Sequence, residues 1–287
     1  MSDRIQFFTR SLYFMKTIQD ILLQKNKQRI TMLTAYDYPM ASFLDEAGID
    51  IILVGDSLAN VVLGLESTTE VGMKEMLHHA KAVVRAVKNA LIVGDMPFDS
   101  YQLNPKAAVD NARQFIDLGC HAVKLEWFED CAKVASAIAQ AGIPVMGHVG
   151  LTPQTAREKG GMKVQGKDAV SAQIIIESAK ILQEAGCFSV VLECIPQEVA
   201  AVITRQLTIP TIGIGAGPHC NGQVLVIHDL LGLFSRYQPK FSKKYADLGP
   251  LILQAVKEYK KDVISGQFPD DSHSFHLDKD EIKKLYD

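Results

Sequence analysis

The chain has 287 residues, 47% of them hydrophobic, which is enough to bury one large core. Its formal net charge of -3 and pI of about 6.2 give no indication of nucleic-acid binding. No apolar run reaches the ~18 residues that cross a bilayer. The N-terminal segment also lacks a secretory pattern. The composition therefore predicts neither a membrane nor a nucleic-acid partner.

The two ends of the chain and its cysteines set further expectations. Residues 1–14 precede the first predicted helix and are interpreted as a disordered leader, so a chain that begins at Met15 should keep its fold and activity. Residues 15–287 are predicted to form a single domain with a polar C-terminal tail. The five cysteines are an odd number without a C-x-x-C pair, which favours reduced thiols and a cytoplasmic protein.

In chain order, a short helix at about Thr17–Gln24 precedes a first strand at Ile30–Thr34. Short apolar strands then alternate with helical stretches, which is typical of repeated βαβ units. A glycine after Ala or Leu recurs just before several strands, where it ends a helix at little steric cost. The later predicted elements are helices at about Met73–Val87, Pro105–Leu118, Glu129–Gln140, Asp168–Glu184 and Gln197–Arg205, and strands at Thr211–Gly215 and Gly222–Ile227.

About eight strands with covering helices predict a closed (β/α)8 barrel. The strands are continuously apolar, as expected for strands buried on both faces. A doubly wound open sheet is the alternative, because strand counts from one sequence carry an error of one or two.

Charged or acid-base residues follow the predicted strands. They are Asp56, Asp95, Lys124, Glu126, His148 and Glu193. Burying one charge at a strand end is costly, so several such ends need a common reason. In a barrel of parallel strands all the C-terminal ends open on one face, which carries the chemistry. These residues are therefore expected to converge on one pocket.

Asp56 and Asp95 end two similar phrases, Leu-Val-Gly-Asp and Ile-Val-Gly-Asp. Two carboxylates held close together repel each other unless a cation lies between them. Two carboxylates together with waters and substrate oxygens are a common Mg²⁺ site. The alternative is that each Asp caps the helix or turn that follows it.

Three further positions carry candidate roles. Lys124 and Glu126 are two residues apart on one strand and point to the same side. They form either an internal ion pair or two functional groups, in which Lys124 holds a carboxylate of the substrate and Glu126 tunes the water shell of the metal. Glu193 follows apolar residues that favour a base active near neutral pH; its alternative is a capping or paired Glu. His148 is interpreted as a structural residue or a substrate contact.

In combination these phrases resemble the ketopantoate hydroxymethyltransferase family from about Met15 to His276. The phrases include Thr-Ala-Tyr-Asp-Tyr from Thr34, Val-Gly-Asp-Ser from Val54, Asp-Met-Pro-Phe from Asp95, Val-Lys-Leu-Glu from Val123, Gly-His-Val-Gly-Leu-Thr-Pro-Gln from Gly147 and Leu-Glu-Cys-Ile-Pro from Leu192. The resemblance implies a barrel of the phosphoenolpyruvate/pyruvate superfamily, Mg²⁺, 5,10-methylenetetrahydrofolate as one-carbon donor, and a homodecamer active in pantothenate synthesis.

The resemblance also implies roles for individual residues. Asp56 and Asp95 match the family's metal ligands, with Glu126 in the metal's surroundings. Ser57, Asp95 and Lys124 match its ketoacid-binding residues, and Glu193 matches its proposed base. The implied reaction transfers a hydroxymethyl group to 3-methyl-2-oxobutanoate, giving 2-dehydropantoate.

The chain departs from the family at a few positions. Trp127 and Phe128 follow Lys-Leu-Glu, where the family usually has Gly. Met162 stands where an aromatic residue is common, and Asn221 stands where Asp is common.

Two rival functions are a lyase or mutase of the same superfamily and a non-catalytic barrel. Such lyases carry a Lys-Lys-Cys-Gly-His loop, and nothing like it occurs in this sequence.

Overall fold

The computed structural model describes residues 15–155, 163–234, 236 and 239–285. The predicted leader and Met162 lie outside these residues. The strands are β1 Ile30–Thr34, β2 Ile51–Val54, β3 Leu91–Asp95, β4 Ala122–Glu126, β5 Val145–Gly150, β6 Ser189–Glu193, β7 Thr211–Ile214 and β8 Gly222–Leu225. The helices are α1 Ile18–Gln24, α2 Tyr38–Glu46, α3 Leu58–Val61, α4 Met73–Ala86, α5 Pro105–Leu118, α6 Cys131–Gln140, α7 Ala169–Glu184, α8 Gln197–Gln206, α9 Ile227–Leu231, α10 Leu248–Ser265 and α11 Lys279–Lys283.

The eight strands form a closed barrel in sequence order, and every neighbouring pair is parallel. The closed barrel confirms the predicted (β/α)8 fold and contradicts the open-sheet alternative. Described residues within Met1–Ile227 and Pro239–Lys243 form one compact unit, which contains all eight strands. Those within His228–Gln238 and Lys244–Asp287 form a second unit that contains α10 and α11.

The barrel interior is filled by alternate residues of its strands. Buried apolar side chains of the strands make one cluster, which also includes Ile21 of α1. This cluster contains Ile30, Met32, Ile51, Leu53, Leu91, Val93, Ala122, Met146, Val191, Ile212 and Val224. Successive strand residues point to opposite sides, so residues two positions further along continue the same inward columns.

The outward side of the strands packs against the helices at two glycines. A Cβ added to Gly94 would lie 2.4 Å from Phe115 Cδ1 of α5, and one added to Gly147 would lie 2.7 Å from Leu182 Cδ1 of α7. Both distances are shorter than real Cβ contacts, so a side chain at either position would force Phe115 or Leu182 to move.

Most predicted boundaries agree with the structure within two residues. Pro105–Leu118 matches α5 at both ends, and Thr17 and Asp168 act as N-caps of α1 and α7 rather than as helical residues. Strand eight was predicted to reach Ile227, but it ends at Leu225. Ile227 instead begins α9, and its backbone N–H donates to Thr34 Oγ1.

The prediction also omitted two sizeable helices of the chain. It contained no helix at α2, although Asp37 caps that helix and Pro39 lies in its first turn. It treated the region of α10 as unassigned. His79 of α4 is half-buried, and its Nδ1 lies 2.7 Å from the carbonyl oxygen of Tyr36. No helix among the described residues is both long and apolar enough to span a membrane.

Candidate active site

The inward columns change from apolar to charged at the C-terminal end of the barrel. Asp95 continues the column of Val93, and Lys124 and Glu126 continue that of Ala122. His148 and Glu193 stand two residues after Met146 and Val191 in the same way. The β-ladder places Asp95 beside Lys124 and Glu126 beside His148. The predicted convergence of the strand-end residues is therefore present.

Asp95, Asp56 and Lys124 form the first part of this cluster. Lys124 Nζ lies 2.7 Å from Asp95 Oδ1, and both side chains are almost fully buried. The backbone N–H of Asp56 donates to Asp95 Oδ2 at 3.2 Å, which links the ends of β2 and β3. The N-cap positions of α3 and of the 3-10 turn Phe98–Ser100 are Ser57 and Pro97, and neither helical end has a side-chain cap bond. The alternative interpretation, in which Asp56 and Asp95 cap these elements, is therefore wrong.

Burial changes the protonation of this group. It raises the pKa of Asp56 to about 6, an effect to which the charge of Glu126 adds and which Lys124 opposes. Burial also raises the pKa of Asp95 to about 6, with Lys124 opposing and Asp56 reinforcing the change. Burial acts to lower the pKa of Lys124, but the charges of Asp95, Glu126 and Asp56 outweigh it and raise that pKa. Lys124 is accordingly a permanent cation among three carboxyl groups.

Glu126, His148 and Glu193 form the second part of the cluster. His148 Nδ1 lies 3.5 Å from Glu126 Oε1, and His148 Nε2 lies 3.2 Å from Glu193 Oε2. Burial acts to lower the pKa of His148, but the two carboxylates outweigh it and raise the pKa to about 9. Glu193 is the more accessible of these groups, with 15% of its side chain exposed against 2% for His148.

Two contacts of the site come from residues that were not singled out in the sequence. Gln154 donates from Nε2 to Asp56 Oδ2 at 2.8 Å, and Tyr36 Oη lies 2.9 Å from Ser57 Oγ. Both residues belong to the phrases that carry the family resemblance, and these phrases were the sequence feature that could have identified them as part of the site. Ser57 thus lies at the edge of the site, held by a buried tyrosine.

The donor set at the ends of β2 and β3 is compatible with Mg²⁺. Among the described residues, Asp95 Oδ1 is contacted by the Lys124 ammonium at 2.7 Å and accepts no other hydrogen bond. Buried carboxylates with raised pKa values are relieved by a divalent cation, and Mg²⁺ prefers oxygen ligands with several retained waters. Within the described ranges no three His, Cys, Asp or Glu side chains form a preformed metal cluster. A fit to Mg²⁺ therefore rests on two protein carboxylates.

In EDTA, lowering the pH from 7 to 5 should raise the free energy of unfolding by about 1 kcal/mol for each of Asp56 and Asp95. Each has a folded-state pKa of about 6, above the ordinary value of 3.8, so protons bind on folding and stability is lost as the pH rises through 6. Urea denaturation of the wild type and of Asp56→Asn at both pH values measures the effect. The variant should show a pH dependence smaller by about 1 kcal/mol. An unchanged dependence would contradict the assignment.

The departures from the family fall in different places. The ring of Phe128 packs against that of Tyr101, with centroids 5.6 Å apart, and the Trp127 backbone N–H donates to the His148 carbonyl. Asn221 lies at the opposite end of the barrel, where its side chain accepts from the backbone N–H of Thr211. The substitution at Asn221 therefore belongs to the structural end of the barrel and not to the site.

Solved structures with the same architecture share little sequence with this chain. The fold resembles that of phosphonopyruvate hydrolase in complex with oxalate and Mg²⁺, with a TM-score of 0.59, 13% identity and 95% of each chain covered. It also resembles 2,3-dimethylmalate lyase, a member of the PEP mutase/isocitrate lyase superfamily, with a TM-score of 0.58, 14% identity, and 95% and 99% of the two chains covered. These similarities confirm the (β/α)8 fold of the barrel.

Sequence relatives are much closer. The sequence is 54% identical over 264 residues to a 3-methyl-2-oxobutanoate hydroxymethyltransferase of Syntrophomonas wolfei, covering 92% of this chain and 96% of that protein. It is 56% identical over 254 residues to the protein of the same name from Syntrophus aciditrophicus, covering 88% and 93%. The sequence pattern of one enzyme family, ketopantoate hydroxymethyltransferase, matches residues 15–271. The chain therefore belongs to the ketopantoate hydroxymethyltransferase family.

Proposed function

We propose that this chain transfers a hydroxymethyl group from 5,10-methylenetetrahydrofolate to 3-methyl-2-oxobutanoate, giving 2-dehydropantoate in pantothenate biosynthesis. The family and the names of the relatives support the 2-oxoacid and the product. The observation that carries the chemistry is a partly exposed carboxylate, Glu193, at the same barrel mouth as a buried cluster of Asp56, Asp95 and Lys124. That arrangement combines a base with a site for an anionic, chelating substrate.

Asp56 and Asp95 would hold Mg²⁺, and Glu126 would orient water in its surroundings. Both oxygens of Glu126 already have protein partners, His148 Nδ1 and the backbone N–H of Gln154, which favours the outer role for this residue. When bound, Mg²⁺ supplies Lewis-acid chemistry that makes the C3 proton of a 2-oxoacid more acidic and stabilises the developing negative charge.

The protein groups perform the remaining steps. Lys124 and Ser57 bind and orient the substrate carboxylate. Glu193 removes the C3 proton, and the electron pair of the broken C–H bond is delocalised into the enolate. The enolate carbon forms a C–C bond to the methylene carbon of the folate, and the bonds from that carbon to N5 and N10 break. Water supplies the hydroxyl oxygen and its hydrogen; the second hydrogen of the water and the proton taken by Glu193 pass to the two nitrogens, and tetrahydrofolate leaves. His148, held as a cation by Glu126 and Glu193, keeps the Glu193 carboxylate in place.

The decisive experiment is hydrogen–deuterium exchange at C3 of 3-methyl-2-oxobutanoate, followed by NMR with and without Mg²⁺. Exchange should depend on Mg²⁺ and should not require folate. Addition of 5,10-methylenetetrahydrofolate should then give 2-dehydropantoate. A protein that catalyses neither exchange nor product formation with Mg²⁺ would contradict the proposal and favour a non-catalytic barrel.

The proposed assembly is a homo-oligomer, with the decamer that the family resemblance implies as the specific form. Helix α10 has no buried residue among its 18 residues, and it carries many apolar side chains. Ile252, Val256, Tyr259 and Val263 recur at helical spacing on one face of α10, and each is between 45% and 60% exposed. An exposed apolar stripe of this length supports contact with another protein surface.

Light scattering at micromolar concentration should report a mass near ten times the 31.6 kDa of one chain. Val256→Glu should shift the distribution to smaller species, because a charge on the apolar stripe opposes its burial. Lys257→Glu, at the neighbouring position on the same helix, is the matched control and should leave the mass unchanged. A stable monomer in the wild type would contradict the oligomer.

The proposed location is the cytoplasm. All five cysteines lie within the described residues, and none forms a disulfide. Four of them are buried, and burial raises the pKa of Cys131 to about 12. Unreactive, unpaired thiols support a reducing compartment.

A further inference from the structure

Gln154 connects several parts of the site through one side chain. It lies in a turn of 3-10 helix, Pro153–Thr155, after β5, and it is 6% exposed. Its Nε2 donates to Asp56 Oδ2 at 2.8 Å and to the Met96 carbonyl oxygen at 3.2 Å. Its backbone N–H donates to Glu126 Oε2 at 3.1 Å. A residue of the β5 loop is thus bonded to groups that follow or end β2, β3 and β4.

The orientation of the Gln154 amide is fixed by its partners. The Asp56 carboxylate and the Met96 carbonyl only accept hydrogen bonds, so the NH₂ group must face them. Oε1 then accepts from the hydroxyl of Tyr101, and that hydroxyl in turn accepts from the backbone N–H of Glu126 at 3.3 Å. Both N–H hydrogens and the oxygen of the amide are therefore used, and the side chain cannot rotate without breaking buried bonds.

Asp56 needs such a constraint because of its place in the chain. It lies two residues beyond the end of β2, so no ladder bond of that strand fixes the direction of its side chain. A carboxylate that accepts one fixed hydrogen bond presents its second oxygen in one defined direction. Residues that hydrogen-bond to a metal-binding carboxylate commonly influence the affinity of the site for the ion.

We propose that Gln154, supported by Tyr101, is a positioning residue that orients Asp56 and Glu126 for a divalent cation. This inference rests on the proposed function, because it assumes that Asp56 takes part in binding the metal. Gln154 itself touches neither the cation nor the substrate. Its removal should weaken metal binding without removing a ligand or the base.

The test compares Gln154→Met with the wild type by Mn²⁺ titration followed by EPR, in the absence of substrate. Methionine has a similar length and no donor, so Mn²⁺ should bind about 10- to 100-fold more weakly. Tyr101→Phe keeps the bond from Gln154 to Asp56 and should cause a smaller loss. Gln140→Met changes an exposed glutamine of α6 that bonds only locally to Ser136, and it is the matched control.

Turnover separates positioning from damage to the fold. Saturating Mg²⁺ should restore most of kcat in Gln154→Met, whereas a generally damaged site would stay slow at any Mg²⁺ concentration. If that variant does not fold, Tyr101→Phe carries the test, and unchanged Mn²⁺ affinity in it would overturn the proposal. Equal affinity of folded Gln154→Met and wild type would overturn the proposal while leaving the proposed function intact. A wild type that binds no Mn²⁺ would overturn both the positioning role and the metal part of the function.

Discussion

Replacement of Glu193 by glutamine should slow exchange of the C3 proton of 3-methyl-2-oxobutanoate by about 10²- to 10⁴-fold, the usual cost of losing a general base. Glutamine keeps the shape of the side chain and removes its basicity. Mn²⁺ and the 2-oxoacid should still bind, because Asp56, Asp95 and Lys124 are unchanged. Exchange measured by NMR without folate isolates this step from the later addition.

The control for this experiment is Glu198→Gln. Glu198 is an exposed acidic residue in the first turn of α8, five residues further along the chain. Its replacement should leave exchange at the wild-type rate. Near-normal exchange in Glu193→Gln would remove Glu193 from the role of base and leave His148 as the next candidate.

The structure favours Glu193 over His148 for a physical reason. His148 lies between two carboxylates, and its pKa of about 9 keeps the imidazole protonated near neutral pH. A protonated imidazole has no lone pair with which to accept a proton. The sequence predicted Glu193 as the base and left the role of His148 open, because the distances from His148 to the two glutamates depend on three different strands.

Asp95→Asn should weaken Mn²⁺ binding more than about 100-fold, which exceeds the loss expected when a residue that only hydrogen-bonds to a metal ligand is replaced. Turnover should fall together with Mn²⁺ affinity. Asparagine can still accept from the Asp56 backbone N–H, so the link between β2 and β3 is kept. What it loses is the negative charge that balances Lys124 at 2.7 Å and that would bind the cation. EPR titration and a steady-state assay at several Mg²⁺ concentrations measure both effects.

Asp117→Asn is the matched control, since Asp117 is an exposed residue of α5. Circular dichroism and urea denaturation show whether Asp95→Asn remains folded in EDTA. Full turnover of folded Asp95→Asn, or full turnover of the wild type in EDTA, would refute the proposed metal site.

The charged strand ends were predictable because they depend on short-range rules. Lys124 and Glu126 stand two residues apart on one strand, and strand geometry alone puts them on one side. The barrel then follows from repetition, and parallel strands bring their ends together. The prediction of one converging pocket needed no distances between strands.

The network behind these residues was not predictable in the same way. Gln154 lies 98 residues from Asp56, and a turn of 3-10 helix determines where its amide points. The end of β8 was misplaced because Ile227 is as apolar as a strand residue, and only the bond from its N–H to Thr34 marks the turn into α9. Helix α10 was omitted although apolar residues recur at helical spacing in that part of the sequence.

The two glycines on the outside of the barrel have a consequence for how this enzyme could be tuned. Gly94 and Gly147 each precede a charged residue of the mouth by one position, and Phe115 and Leu182 press against them from the helices. The outer layer therefore touches the main chain one peptide bond away from Asp95 and His148. A change of side-chain volume at Phe115 or Leu182 is therefore expected to shift the main chain that carries Asp95 and His148, although both residues lie on helices outside the barrel. Differences in activity among relatives can thus originate in helix residues that do not line the mouth of the barrel.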